Sequence, residues 1–317
     1  MRRGKMLIGL MVFLLLLSTG TGGILHAKLA GEIGTKVRFG YVDWPGVTVK
    51  TAVAKNILEY MGYDVEAEMY LVPVLYKGLS IKDLDVFLGG WLPTMKLYLD
   101  PYFKKGTIKK VTVNLNETVY TLAVPAYVWK AGVHSEADLH KYGDKFGRKI
   151  IGIEPGNEGN QIMINAIKNN TYNLAGWEVV ESSTVAMMVA VEKAIKNKDW
   201  IVWLGWSPHW MNMEFDMKYL EDPLELWGPP GAEVVYTLSR AELEEDMPNV
   251  YKFLEQLKVT PEMQNEWIYG YGREKRDADE IAKEWIKNNI RVVDTWVYGT
   301  KSVDGKRARD AIREAIE

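Results

Sequence analysis

Two stretches of the chain repeat one unusual order of residues. Residues 85–95 read Asp-Val-Phe-Leu-Gly-Gly-Trp-Leu-Pro-Thr-Met, and residues 201–211 read Ile-Val-Trp-Leu-Gly-Trp-Ser-Pro-His-Trp-Met. Each begins as a short apolar run, the pattern of a buried strand. Each then gives Leu-Gly, a tryptophan, a proline two positions on, and the start of a helical pattern. A chain that carries such a segment twice is expected to be built from two similar halves. Trp91 and Trp206 become equivalent residues of those halves, each in a loop at a strand end.

The surrounding elements agree. Residues 37–42 read as a strand broken by Asp43-Trp44-Pro45-Gly46. From Thr48 the apolar spacing is helical, with Val49, Ala52, Val53, Ile57, Leu58 and Met61, and Gly62 is its stop. A strand at 64–71, a loop and helix at 72–82 and a strand at 84–89 follow. This alternation predicts a parallel sheet with helices on its faces. The order restarts with a strand at 149–153, a helix at 161–168, a strand at 177–181, a helix at 184–195 and a strand at 200–204. A second near-repeat, Val-Tyr-Thr-Leu-Ala at 119–123 and Val-Tyr-Thr-Leu-Ser at 235–239, falls where the chain would cross between the halves and return. Beyond Arg240 the pattern is helical. The expected architecture is α/β, with one lobe made of residues 36–118 and 235–317 and the other of 119–234. Two crossing strands join them as a hinged clamshell, with its ligand cleft at the carboxyl ends of the strands.

Composition narrows the function. With a net charge of −3 the chain lacks the basic surface that nucleic acid requires. Having no cysteine, it has no disulfide, thiolate nucleophile, zinc–thiolate site or lipidated cysteine. Only four histidines are present and there is no Gly-x-Ser-x-Gly. Neither catalysis, nor a metal, nor a cofactor is expected. Arg2, Arg3 and Lys5 precede the apolar run 6–17 and a set of small residues. That is the layout of a secretory signal, too short to span a bilayer comfortably. Residues 1–27 are therefore expected to be a cleaved signal or a retained N-terminal anchor of an exported protein, periplasmic or at the cell surface.

Tryptophan is the outlier, with 12 residues. Four loops would face the cleft: Trp44-Pro-Gly, Trp91-Leu-Pro, the segment 154–160, and Trp206-Ser-Pro-His-Trp. Indoles around a common volume suit a cation that cannot donate hydrogen bonds, such as a quaternary ammonium group. The same three side chains would also serve as core plugs, the role expected of Trp129, Trp177 and Trp285. Aromatic faces stack on sugar rings too, so a secreted carbohydrate-binding protein or sugar hydrolase is the rival reading. The loop Glu-Pro-Gly-Asn-Glu-Gly-Asn at 154–160 leads into a helix. It is either an anion site, with backbone N–H groups aided by Asn157 and Asn160, or a capped turn. It lacks the Lys-Ser/Thr of a nucleotide loop. His209 suits a structural role, and strand alternation turns Asp43 away from the Trp44 face.

Together with Ile-Glu-Pro-Gly-Asn-Glu-Gly-Asn at 153–160 and Val-Glu-Ser-Ser at 180–183, the two Leu-Gly…Trp segments resemble the solute-binding proteins of glycine betaine/choline ABC importers. The likeness runs from residue 37 to the C-terminus. It implies a type II periplasmic-binding-protein clamshell, an aromatic box of Trp44, Trp91, Tyr120 and Trp206, and Asn157 at the ligand's polar end. An ABC permease is the implied partner of a monomeric protein. Choline-binding members carry Asp two residues after the first box tryptophan, and here that residue is Gly46. Betaine-binding members hold the carboxylate with backbone N–H groups and a His five residues after the second box tryptophan, and here that residue is Lys96. A carboxylate suits Lys96, or the helix start at Gly159–Gln161 with Asn160, better than a hydroxyl does. Glycine betaine is therefore favoured, with choline next.

Overall fold

The computed structural model describes residues 31–317, so the signal or anchor expected within residues 1–27 lies outside the described part. Among the described residues no helix is long and apolar enough to cross a membrane.

The first run of elements is β1 (Lys36–Tyr41), α1 (Pro45–Tyr60), β2 (Asp64–Met69), α2 (Val72–Ser80), β3 (Val86–Leu92), α3 (Lys96–Lys105) and β4 (Ile108–Leu115). Helix α1 begins at Pro45, ahead of the expected Thr48. Proline at a first helical position gives up only an N–H that has no partner there, and its fixed φ already suits a helix. The second run is β5 (Val119–Pro125), β6 (Lys149–Ile151), α4 (Glu158–Lys168), β7 (Glu178–Val180), α5 (Thr184–Asn197), β8 (Trp203–Ser207) and β9 (Met217–Tyr219). The chain then returns as β10 (Val234–Arg240) and continues into helices that include Pro248–Gln256, Pro261–Ile268, Ala278–Asn288, Ile290–Trp296 and Ala308–Ile316.

Two five-stranded sheets result, in the orders β2-β1-β3-β10-β4 and β7-β6-β8-β5-β9. β1 is parallel to β2 and β3, and β6 is parallel to β7 and β8. β10 lies antiparallel between β3 and β4, as β5 does between β8 and β9. The sheets are therefore mixed, where strand–helix alternation predicted parallel ones. Alternation is a local signal and is blind to a partner strand that arrives from far along the chain.

The two halves match in detail. In each, the Leu-Gly strand is paired with a Val-Tyr-Thr-Leu strand. This pairing carries β3 through Leu92 and β8 through Ser207, so Trp91 and Trp206 are strand residues rather than loop residues. Proline, which has no N–H to give to a ladder, follows each strand. The registers differ by one residue. Tyr120 stands opposite Trp206, whereas Tyr236 stands opposite Gly90 and Val235 opposite Trp91. The first half carries an extra glycine in Leu-Gly-Gly-Trp, and its ladder shifts register between Tyr236 and Leu238. A slip of one residue exchanges the two faces of a strand, so the paired faces carry Tyr120 in one half and Val235 in the other.

Helices Pro261–Ile268 and Ala278–Asn288 pack on α1. Trp267, Trp285 and Trp296 fill that seam, with ring centroids 5.0 and 5.4 Å apart. Trp177 and Trp285 are core residues as expected, and Trp129 is half-buried against His134. At the other end of the first sheet, the buried Asp85 accepts hydrogen bonds from Arg38 N (2.8 Å), Arg38 Nε (2.9 Å) and Arg240 Nε (2.6 Å). Arg240 also reaches Asp246. One carboxylate thus ties β1, β3 and β10 together.

Candidate functional site

The ends of these strands enclose a cavity with about 520 Å³ of empty space, part of it continuous with solvent. Trp44, Trp91, Tyr120 and Trp206 all line it, and each is more than nine-tenths buried. Tyr120 meets Trp91 and Trp206 edge to face, with centroids at 6.0 and 5.9 Å. That geometry sets the positive edge of one ring on the negative face of the next.

Each wall is held from behind. The Trp44 indole N–H donates to Glu154 Oε1 at 2.9 Å, and Asn157 Nδ2 donates to the same oxygen at 3.3 Å. Asn157 caps α4 through Gly159 N, and its Oδ1 also accepts the Tyr120 hydroxyl at 3.0 Å. Trp206 packs against His209, whose burial pushes the imidazole down to about 3, so the ring is neutral. Met211 N donates to His209 Nδ1, and the structural reading of this histidine holds. Trp210 lies outside the cavity with Arg273 over its face.

Trp227 supports Tyr120 from the far side, at 5.2 Å between centroids. Its indole N–H donates to the buried Glu136 at 2.7 Å, where Thr121 adds a donor at 3.2 Å. Burial, aided by the Asp222 charge, pushes the Glu136 carboxyl up to about 8. The folded protein therefore keeps a proton that the unfolded chain loses above its ordinary carboxyl value. The contribution of this group to stability is full below that value and falls away as pH rises toward 8. Glu136→Gln is expected to lessen the loss of stability between pH 5 and pH 8, read as guanidinium unfolding midpoints. An unchanged pH slope would show that Glu136 is ionised in the fold.

Two sequence expectations fail. Lys96 is exposed and does not line the cavity. The preceding residue, Met95, takes the inward position, and its sulfur accepts the Trp91 N–H. One step round a helix turns the lysine to solvent. Asn160 is buried, but its amide is committed to Ile153 O, Glu154 O and Glu181, while its oxygen accepts Ile153 N. It ties the first turn of α4 to the preceding loop at Ile153 and Glu154 and has nothing left for a ligand. Gly46 does line the cavity, and a Cβ there would lie 2.7 Å from the Gln264 amide nitrogen.

Sequence reasoning missed Lys50 and Gln264, which share this lining. A signal for Lys50 existed: it lies four residues after Gly46, hence on the same face of α1. For Gln264, distant in the chain, there was none.

Comparison with known proteins bears on this arrangement. A family model described as the substrate binding domain of ABC-type glycine betaine transport system matches residues 35–288. A choline-binding ABC-transporter protein solved in complex with choline is 37% identical, with a TM-score of 0.87 over 92% of this chain and 99% of that one. Lactococcal OpuAC, closed on glycine betaine, is 31% identical, with a TM-score of 0.74 over 83% and 99%. The glycine betaine/carnitine transport binding protein GbuC of Listeria monocytogenes is 38% identical over 51% of this chain, a match that spans about half of that protein (53%).

Proposed function

Because the chain belongs to the family of substrate-binding domains of ABC-type glycine betaine transport systems, we propose that it captures a quaternary ammonium compound outside the cytoplasm and delivers it to a membrane permease. One observation carries the ligand class. Three indoles and a phenol surround a cavity whose lining contains no carboxylate. A primary ammonium would need hydrogen-bond acceptors there, and a sugar would need many polar partners. A trimethylammonium group needs neither, and each aromatic face contributes about 0.5–2 kcal/mol to holding it.

In this reading Trp44, Trp91, Tyr120 and Trp206 hold the cation, and Asn157 and the backbone at Gly46 face the ligand's polar end. The lobes 36–118 with 235–317, and 119–234, close on it as a monomer, flexing where the chain passes between β4 and β5 and again before β10. The sheet memberships support that division. Closure removes water, which strengthens the cation–aromatic attraction and so selects the ligand.

A thermal-shift panel tests the class. Glycine betaine, choline, carnitine or proline betaine at a hundredfold excess over Kd should stabilise the fold by about 2.7 kcal/mol. Stabilisation by an oligosaccharide, with none by any quaternary amine, would reverse the assignment.

A further inference from the structure

Lys50 is a fully buried lysine on the wall of an aromatic cation site. Its Nζ donates to Asn114 Oδ1 at 2.7 Å. Asn114 is held in turn, donating through its own amide to Leu88 O and Thr237 Oγ1. An ammonium carries three donors, and only that one bond is made among the described residues. Leu88, Gly89, Val235 and Gln264 share the cavity lining with Lys50, and behind it Asn114 of β4 bonds Thr237 of β10; none of these residues is charged. The only other titratable group on the lining is Tyr120, which burial raises well above its ordinary value and keeps neutral.

A cage for a cation that also contains a buried ammonium is self-contradictory for a simple cationic ligand. Two positive charges would share one low-dielectric space, or the lysine would have to lose its proton. The conflict disappears when the ligand brings an anion of its own. We infer that Lys50 is the specificity-determining residue for the ligand's acidic end, and that the ligand is a zwitterion of the trimethylammonium carboxylate class rather than the corresponding alcohol. This rests on the cage reading given above. In the zwitterion complex the ammonium meets the carboxylate, supplemented by the first turn of α1 at Gly46 and Val47, where no side chain caps the helix.

The pH dependence follows from the same geometry. Burial lowers Lys50 to about 7 in the empty cavity. A bound carboxylate raises it. Betaine affinity is therefore steady below pH 7 and weakens above it, by up to tenfold per pH unit, because the amine must take up a proton to bind. Choline affinity has no such fall and improves as the lysine becomes neutral.

Calorimetric titration of the purified protein with glycine betaine and with choline, at pH 6 and pH 9, is the test. Wild-type protein is expected to prefer betaine at pH 6. Lys50→Met should weaken betaine at least tenfold at pH 6, remove its pH dependence and leave choline equal or tighter. Lys50→Gln keeps a donor for Asn114, and it should show the same loss if the methionine variant folds poorly. Gly46→Asp places a carboxylate one helical turn from Lys50 and should move the preference toward choline. Betaine affinity within threefold of wild type in both Lys50 variants would overturn the assignment of Lys50 while leaving the cage intact. Wild-type protein that bound neither compound would overturn the cage reading, and this assignment with it.

Discussion

Trp206→Ala is expected to lower quaternary ammonium affinity by at least a hundredfold while the protein remains folded. A desolvated cation–indole contact contributes about 2 kcal/mol or more, and a hundredfold is about 2.7 kcal/mol. The remainder comes from the neighbours. Tyr120 loses the ring it meets at 5.9 Å, and water enters beside the cation, weakening every other contact in the cage. The fold should tolerate the change because one face of Trp206 borders a cavity rather than packed core. Tryptophan quenching or calorimetry reads the affinity, and far-UV circular dichroism reads the fold. Undiminished binding by a folded variant would remove Trp206 from the site, and a variant unfolded at 25 °C would make it a core plug.

The second large effect concerns stability. Asp85→Ala should destabilise the protein by about 3–5 kcal/mol, the usual result of deleting one member of a buried ionic cluster. The cause is what remains. Arg240 is almost fully buried, and it would keep only Asp246 at the edge of the cluster. The backbone N–H of Arg38 would also lose the acceptor it now has at 2.8 Å. Asp85→Asn should fall between, since it keeps an acceptor but not the charge. Urea denaturation gives the values. A loss below about 1 kcal/mol would mean that the arginines reach solvent when the aspartate is gone.

Much of the fold was legible because the chain states it twice. The Leu-Gly…Trp-x-Pro segments and the Val-Tyr-Thr-Leu strands are local patterns, and local patterns survive in a sequence. What they could not convey was pairing. β10 enters between β3 and β4 from well over a hundred residues away, and that insertion keeps Trp91 in a strand. The tryptophans of the cavity wall stood out by their places at strand ends, a pattern that core plugs would also produce, and Tyr120 came with the family resemblance. Of the polar lining, Asn157 and Gly46 were named and Lys50 and Gln264 were not. Lys96 and Lys50 are chemically the same side chain, and a helical phase of one residue separates exposure from burial. Asn157 caps α4 and Asn160 lies in its first turn, yet only the first retains contact with the cavity, because the second ties the helix start to the preceding loop.

Several polar contacts join residues of the first sheet's half to residues of the second's without touching the cavity lining. Tyr76 donates to Glu158 at 2.7 Å, and Arg273 reaches Glu192 at 2.8 Å and Glu214 at 3.5 Å. Their consequence is one of populations. A protein that binds only when closed shows an apparent dissociation constant equal to the intrinsic one divided by the closed fraction. If the protein closes on its ligand as proposed, contacts at the rim set that fraction, and contacts in the cage, with Lys50, set which molecule is accepted. On the proposed reading, affinity and selectivity are thus written in different residues, so the strength of capture can drift or be retuned at Arg273 while the choice of ligand stays with the aromatic rings and Lys50.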